Sequence, residues 1–317
     1  MKTIMSLDAL LLRGSKIVLG FGMAFVLLGS PAILRAQTPG QTVFESAAEA
    51  ADGLIVAVNS QGQAELSAIL GAEGNDVLSS GDDVADEASR KWFAEAYRTK
   101  HSLLSVGNKK RQLVVGKDDW ALPIPIVEAG GKWYFDTATG KQEIVYRRIG
   151  HNELGAISVC KGYVAAQEDY AAVGHDELPA GLYAARLISE PGKQNGLYWD
   201  SKEGAPASPI GPPLAKAAAE GYSTDVPGTP YHGYLYRSLK AQGNSAKGGA
   251  MSYVVDNRLE KGFALVAYPA QYRVSGVMTF LVNQRGAVYQ KDLGDDTGKL
   301  AAEITEYNPD STWSRTQ

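Results

Sequence analysis

One cysteine, Cys160, in 317 residues is the first constraint on this chain. A single thiol cannot close an internal disulfide, so stability rests on core packing even in an oxidising compartment. It also excludes every zinc or iron–sulfur pattern built on paired thiolates. Histidine is equally scarce: His101, His151, His175 and His232 share no ligand spacing of the His-Glu-x-x-His kind. No Gly-x-Ser-x-Gly nucleophile elbow occurs anywhere. Positive charge is not in excess, the net being −4. An acidic surface without a basic stripe repels a phosphate backbone, which argues against nucleic-acid binding. Beyond the first 36 residues there is no long apolar run, so no membrane span is expected in the mature chain.

What is present begins with an address. Lys2, Arg13 and Lys16 precede an unbroken apolar run, Ile17 to Leu28, then Gly29-Ser30-Pro31 and Leu34-Arg35-Ala36. A positive start, a short apolar centre and a small residue at the cut site describe a secretory signal peptide. The run is shorter than the roughly 20 residues of a spanning helix, which favours export over a retained anchor. No cysteine lies near Ala36 to carry a lipid. Cleavage there removes four cations (Lys2, Arg13, Lys16, Arg35) and one anion (Asp8), leaving Gln37 to Gln317 at −7. A periplasmic or secreted protein is expected.

The mature chain reads as two α+β units, residues 37–147 and 148–317. In the first, Thr42 and Glu45 form a capping box. Phe44, Ala47, Ala51, Leu54, Ile55 and Val58 follow at helical spacing. Leu66, Ile69 and Leu70 end at Gly71, a second helix with a glycine stop. Asp82 or Asp83 caps a third helix carrying Trp92 and Phe93. Four strands are then expected at 102–106, 111–115, 120–127 and 132–136, separated by glycine turns. Pro123 and Pro125 put the third at an edge or a bulge. In the second unit Asn152 caps a long helix with Leu154, Ile157, Cys160 and Val164 on one side. Cys160 reads there as a buried, inert thiol. A Gly/Pro/Ser-rich connection runs from 190 to 230, with a short helix at 215–220, and connections of that length usually serve function. Strands are expected at 233–239, 251–256, 262–268, 276–282 and 287–291.

Two look-alike motifs fail on spacing. In Gly243-Asn-Ser-Ala-Lys247-Gly248-Gly249 the lysine precedes the glycines, so it is a hairpin turn rather than a phosphate loop. His151-Asn152-Glu153 echoes half of a zinc deaminase motif whose two thiolates are missing. Two clusters remain. Asp292, Asp295 and Asp296, in a glycine loop, are residue types that suit calcium, the one cofactor the sequence raises; the alternative is a solvated loop. Tyr231, His232, Tyr234, Tyr236, Arg237, Tyr268, Tyr272 and Arg273, with Tyr222, are candidates to line a groove for a peptide or glycan. Their alternative is a set of cross-strand pairs stabilising a sheet.

The stretches Trp133-Tyr-Phe-Asp136-Thr-Ala-Thr-Gly140, Arg147-Arg-Ile-Gly-His-Asn-Glu153-Leu, Pro230-Tyr-His-Gly-Tyr-Leu-Tyr-Arg237 and Gly262-Phe-Ala-Leu-Val-Ala-Tyr-Pro269 resemble an exported bacterial family known only as domain-of-unknown-function 2950. That resemblance carries no activity and no catalytic residue. The second unit, a helix containing Ala165-Ala-Gln-Glu-Asp-Tyr170 followed by a meander, is similar to the globular heads of type IV pilins and type II pseudopilins. The likeness implies a calcium role for the late acidic loop. Pilins, however, carry their assembly helix at the mature N-terminus, and here residues 37–147 come first. The first unit resembles cone-shaped NTF2-like or cystatin-like domains, a fold-level likeness that transfers no function.

The reading these features support is a non-enzymatic envelope binding or assembly module that recognises a protein or extracellular polymer. The alternative is a periplasmic hydrolase with Trp120, Asp136 or Glu143 lining a pocket of the first unit.

Overall fold

The computed structural model describes residues 39–60, 62–199, 207–210 and 229–316. The leader, Tyr222 and the helix expected at 215–220 lie outside the described residues. Two compact units emerge, Met1–Ser79 with Asp86–Tyr146, and Ser80–Ala85 with Arg147–Gln317. The architecture is mixed α+β with antiparallel main sheets.

In the first unit, α1 (Ala47–Asn59) begins at Ser46, whose hydroxyl accepts from the Glu49 N–H at 3.1 Å. The cap therefore sits four residues beyond the Thr42/Glu45 box read from sequence. The reason is Phe44, which pairs with Trp133 through two 2.8 Å backbone hydrogen bonds and is thereby held extended. After α1 come α2 (Gln63–Leu70), stopped at Gly71 with φ +75°, a 3₁₀ turn (Ala72–Gly74) and α3 (Asn75–Leu78). Next is α4 (Asp83–Thr99), started by Asp82, whose Oδ1 accepts from the Ala85 N–H at 3.0 Å.

The strands are β1 (His101–Ser105), β2 (Lys110–Val115), β3 (Trp120–Ala121), β4 (Ile126–Ala129) and β5 (Lys132–Phe135). They form one antiparallel sheet ordered β1-β2-β4-β5, with β3 alongside β2. Pro123 and Pro125 break the single strand expected at 120–127 into β3 and β4, because proline has no N–H to donate. Ala50, Leu54, Leu66, Ile69 and Tyr97 from the helices meet Leu113, Val115, Ile126 and Phe135 from the sheet in one core.

The helix expected to start at Asn152 starts much earlier. α5 (Thr137–Ala171) is a single 35-residue helix that begins in the first unit and continues in the second. Asp136 caps it, accepting from the Thr139 N–H (3.3 Å) and hydroxyl (2.6 Å). Gly140 is required by contact: a Cβ there would stand 2.5 Å from the Ile124 Cα. Asn152 lies mid-helix, and its amide donates to the Ser275 carbonyl at 2.9 Å. Among the described residues no helix is long and apolar enough to cross a membrane.

The second unit continues with a parallel pair, β6 (Arg186–Ile188) and β7 (Gly196–Tyr198), then β8 (Tyr234–Leu239), β9 (Ala241–Gln242) and β10 (Met251–Ser252). A hairpin of β11 (Val254–Val255) and β12 (Arg258–Leu259) precedes β13 (Ala264–Pro269), β14 (Met278–Asn283) and β15 (Tyr289–Asp292). α6 (Thr297–Glu303), not anticipated in the acidic loop, and β16 (Ser314–Arg315) complete the order. The main sheet is antiparallel, β16-β15-β14-β13-β8. Strand periodicity of two gives it two buried faces. Leu265, Ala267, Phe280 and Val282 pack against Ala156, Cys160, Tyr163 and Tyr170 of α5. Leu239, Ala264, Val266 and Leu281 pack against Tyr253, Leu259 and Tyr307 on the other side. Cys160 is fully buried, and burial pushes its thiol up to about 12. Gln167, also fully buried, holds Ala184 at both its N–H (2.8 Å) and its carbonyl (2.9 Å).

Candidate functional site

The tyrosine and arginine residues singled out from sequence are divided among several places. Tyr234 and Tyr236 of β8 share the sheet face that meets α5, while Arg237 points to the opposite face. Tyr234 is fully buried, donates to the Met278 carbonyl at 2.9 Å, and has its hydroxyl pushed up by burial. Arg237 binds the Ala301, Ala302 and Ile304 carbonyls at 2.7, 3.4 and 2.8 Å, closing the C-terminal end of α6. Tyr268 packs on that same face. Tyr231 and His232 form a tight turn into β8, with reciprocal Tyr231–Tyr234 backbone bonds of 2.8 and 3.1 Å. His232 takes φ +48° there, its ring 4.2 Å from Tyr231 and 6.2 Å from His151, and the next N–H, of Gly233, donates to Asp82 at 2.9 Å.

Tyr272 and Arg273 join the acidic loop instead. The Tyr272 hydroxyl donates to both Asp292 oxygens (3.0 and 3.2 Å), and Arg273 lies over the Tyr272 ring at 5.3 Å, with Asp295 3.9 Å away. Asp292 also accepts the Gly294 N–H at 2.8 Å, and Asp296 precedes α6 without a side-chain cap bond. Asp292 and Asp295 thus face different partners. Among the described residues no three His, Cys, Asp or Glu side chains gather as a metal site.

In the first unit Trp120 packs edge-on to Trp92 (5.3 Å) and Phe93 (6.4 Å), partly buried against the core. Asp136 caps α5, and Glu143 is exposed. A cleft of about 150 Å³ does open there, but between the end of α1 and α4, lined by Asn59, Glu87, Arg90, Lys91 and Arg98. None of Trp120, Asp136 and Glu143 lines it.

The site that sequence reasoning missed is a cleft of about 220 Å³ in the second unit, between the end of α5 and the β11–β12 hairpin. At its base Tyr170 and His175 stack at 4.0 Å, with Trp199 tilted 5.3 Å from the histidine. His175 is fixed at both nitrogens, Nε2 lying 3.0 Å from the Tyr170 carbonyl and Nδ1 3.1 Å from Gln194 Oε1. The Tyr170 hydroxyl donates to the Gln194 carbonyl at 2.6 Å. Burial first, and the Asp176 charge second, push that hydroxyl up to about 12. Asp176 and Glu177 take φ +48° and +68°, turning the chain back so that Leu178, Pro179 and Leu182 form an apolar wall with Val173. Tyr183 forms the far wall: its N–H donates to the Leu259 carbonyl at 2.8 Å and its ring packs on Phe263 at 4.8 Å. Asn195, Asn257, Arg186 and Arg258 supply the polar rim, and among the described residues no carboxylate lines the cleft. The one local signal was turn chemistry, Gly174-His-Asp-Glu-Leu-Pro179 and Asp256-Asn257, which marks bends without revealing that they converge.

No curated protein and no solved structure matches this chain. The pilin-head and NTF2-like or cystatin-like likenesses therefore gain no structural relative. One family does match, that described as Protein of unknown function (DUF2950), over residues 41–316. With nearly the whole described chain inside that match, from the Phe44 bridge of the first unit to β16 of the second, this protein belongs to the DUF2950 family.

Proposed function

We propose that this protein is an exported, non-enzymatic binding module of the cell envelope that recognises a protein or polymer partner through the cleft of its second unit. The observation that carries the reading is the make-up of that cleft: apolar walls, two amides and two guanidinium groups at the rim, and no carboxylate among the described residues. Concave apolar surfaces with a few convergent polar groups are the usual form of a ligand site. Val173, 55 % exposed at the lip, adds apolar surface open to solvent. The compartment follows from the leader read in the first 36 residues.

The test is co-sedimentation of the chain beginning at Gln37 with purified sacculi, extracellular polysaccharide and solubilised envelope protein. Retention by at least one fraction is expected, with Val173→Asp weakening it several-fold. Retention by none would end the reading. Cell fractionation with N-terminal mass analysis checks the compartment separately. The shortened form is expected outside the cytosol, and a full-length polypeptide inside the cell would remove the export claim.

A further inference from the structure

We propose that the occupant of the second-unit cleft is a peptide presenting one large apolar side chain with a carboxylate immediately beside it. This deepens the binding reading above and rests on it. Three observations choose the occupant. The first is size: a cleft of about 220 Å³ has room for one bulky side chain.

The second is how the aromatic rings are used. Glycans dock on open ring faces, but Tyr170 and His175 are only 5 % and 8 % exposed and spend their facing surfaces on each other. Tyr183 has its ring against Phe263. The walls that remain open, Val173, Leu178, Pro179 and Leu182, are aliphatic and suit an aliphatic or aromatic side chain.

The third is charge. Among the described residues the lining carries Arg186 and Arg258 and no acidic group, on a chain whose net charge is −4. Arg186 is already engaged by Glu190 at 2.8 Å. Arg258, exposed on β12, has no ion-pair partner among the described residues. A guanidinium at the lip of an apolar hole offers a planar, two-pronged donor matched to a carboxylate. Asn257, held at φ +61° in the hairpin turn, stands next to it and can donate a further hydrogen bond. The carboxylate can come from an acidic side chain or from a chain terminus, and the same guanidinium reads both.

The experiment uses the full chain from Gln37 and two fluorescent peptide pools. One is blocked at both ends and fixes Leu-Glu internally. The other ends in leucine with a free carboxylate. Each has a neutral twin, with glutamine for glutamate or an amidated end. Anisotropy titration is expected to show one pool binding at least tenfold tighter than its twin. Arg258→Gln should abolish that preference while leaving the neutral twin unchanged, and Arg258→Lys should restore part of it. Val173→Asp should weaken the charged pool more than its twin. Circular dichroism and melting of each variant confirm that it folds.

Equal binding of pool and twin, or a preference surviving in Arg258→Gln, overturns the proposal. If neither pool binds while sacculi or polysaccharide still retain the protein, the peptide assignment fails and the binding-module reading stands. If nothing retains it, both fail.

Discussion

Arg237 donates to three carbonyls at the C-terminal end of α6, the end where helix carbonyls run short of backbone donors. Arg237→Ala should destabilise the chain by about 1–3 kcal/mol, since the Ala301 and Ile304 carbonyls lose a charged donor in partly buried positions. A urea midpoint measures this, and an unchanged midpoint would show the contacts to be idle. The acidic loop gives a second residue-level expectation. Asp292 already accepts from Tyr272 and Gly294, so a calcium chelator should leave the melting temperature unchanged. A drop on chelation would support the calcium role implied by the pilin likeness. The kinds of residue were legible in sequence here, but their directions were not. Tyr236 and Arg237 are neighbours in the chain and point to opposite faces of one strand, so a roll of tyrosines and arginines could not by itself be a groove.

Among the elements, α5 was the hardest to read. Its apolar pattern is interrupted by Gly140, Gly150, Gly155 and Gly162, residues that weaken helices in isolation. Asn152 therefore looked like a start. Tertiary contact overrides propensity: Gly140 lets the helix approach Ile124, and Asn152 reaches across to Ser275. The strands were more legible, because β-branched runs bounded by glycine turns are local signals, and β1, β2, β5, β8, β13, β14 and β15 fall within a few residues of expectation. The cleft was not, since it joins the α5 terminus to a hairpin far along the chain. Gln167 is the link that fixes this part of α5 to the segment after it. Gln167→Leu should cost about 2–4 kcal/mol, because it leaves both Ala184 backbone groups buried without a partner. Chemical denaturation with the far-ultraviolet signal as probe decides this, and a loss below about 0.5 kcal/mol would refute the coupling.

For the whole molecule, buried neutral acids set the response to alkali. Burial raises the Cys160 thiol from 9.0 to about 12 and the Tyr170 hydroxyl from 10.0 to about 12, and it also raises Tyr163 and Tyr234. In each case the folded chain favours the protonated form. Above the unfolded values it therefore binds more protons than the unfolded chain, and stability falls as pH rises. Stability should be level on this account below about pH 9 and decline from there through about pH 12. Cys160→Ala removes the earliest contributor and should move the onset towards pH 10, where the tyrosines begin. Denaturant midpoints between pH 8 and 12 check the slope, and an onset that stays near 9 in the variant would assign the effect to other groups.

The sealed sulfur of Cys160 also turns the protein into its own stopwatch. A thiol reagent can reach it only when the layer between α5 and the main sheet parts, so every modified molecule records one opening of that layer. Because no other sulfhydryl competes for the reagent, the labelling rate needs no site assignment. Any occupant of the cleft beside Tyr170 that holds α5 in place would make that stopwatch run slower.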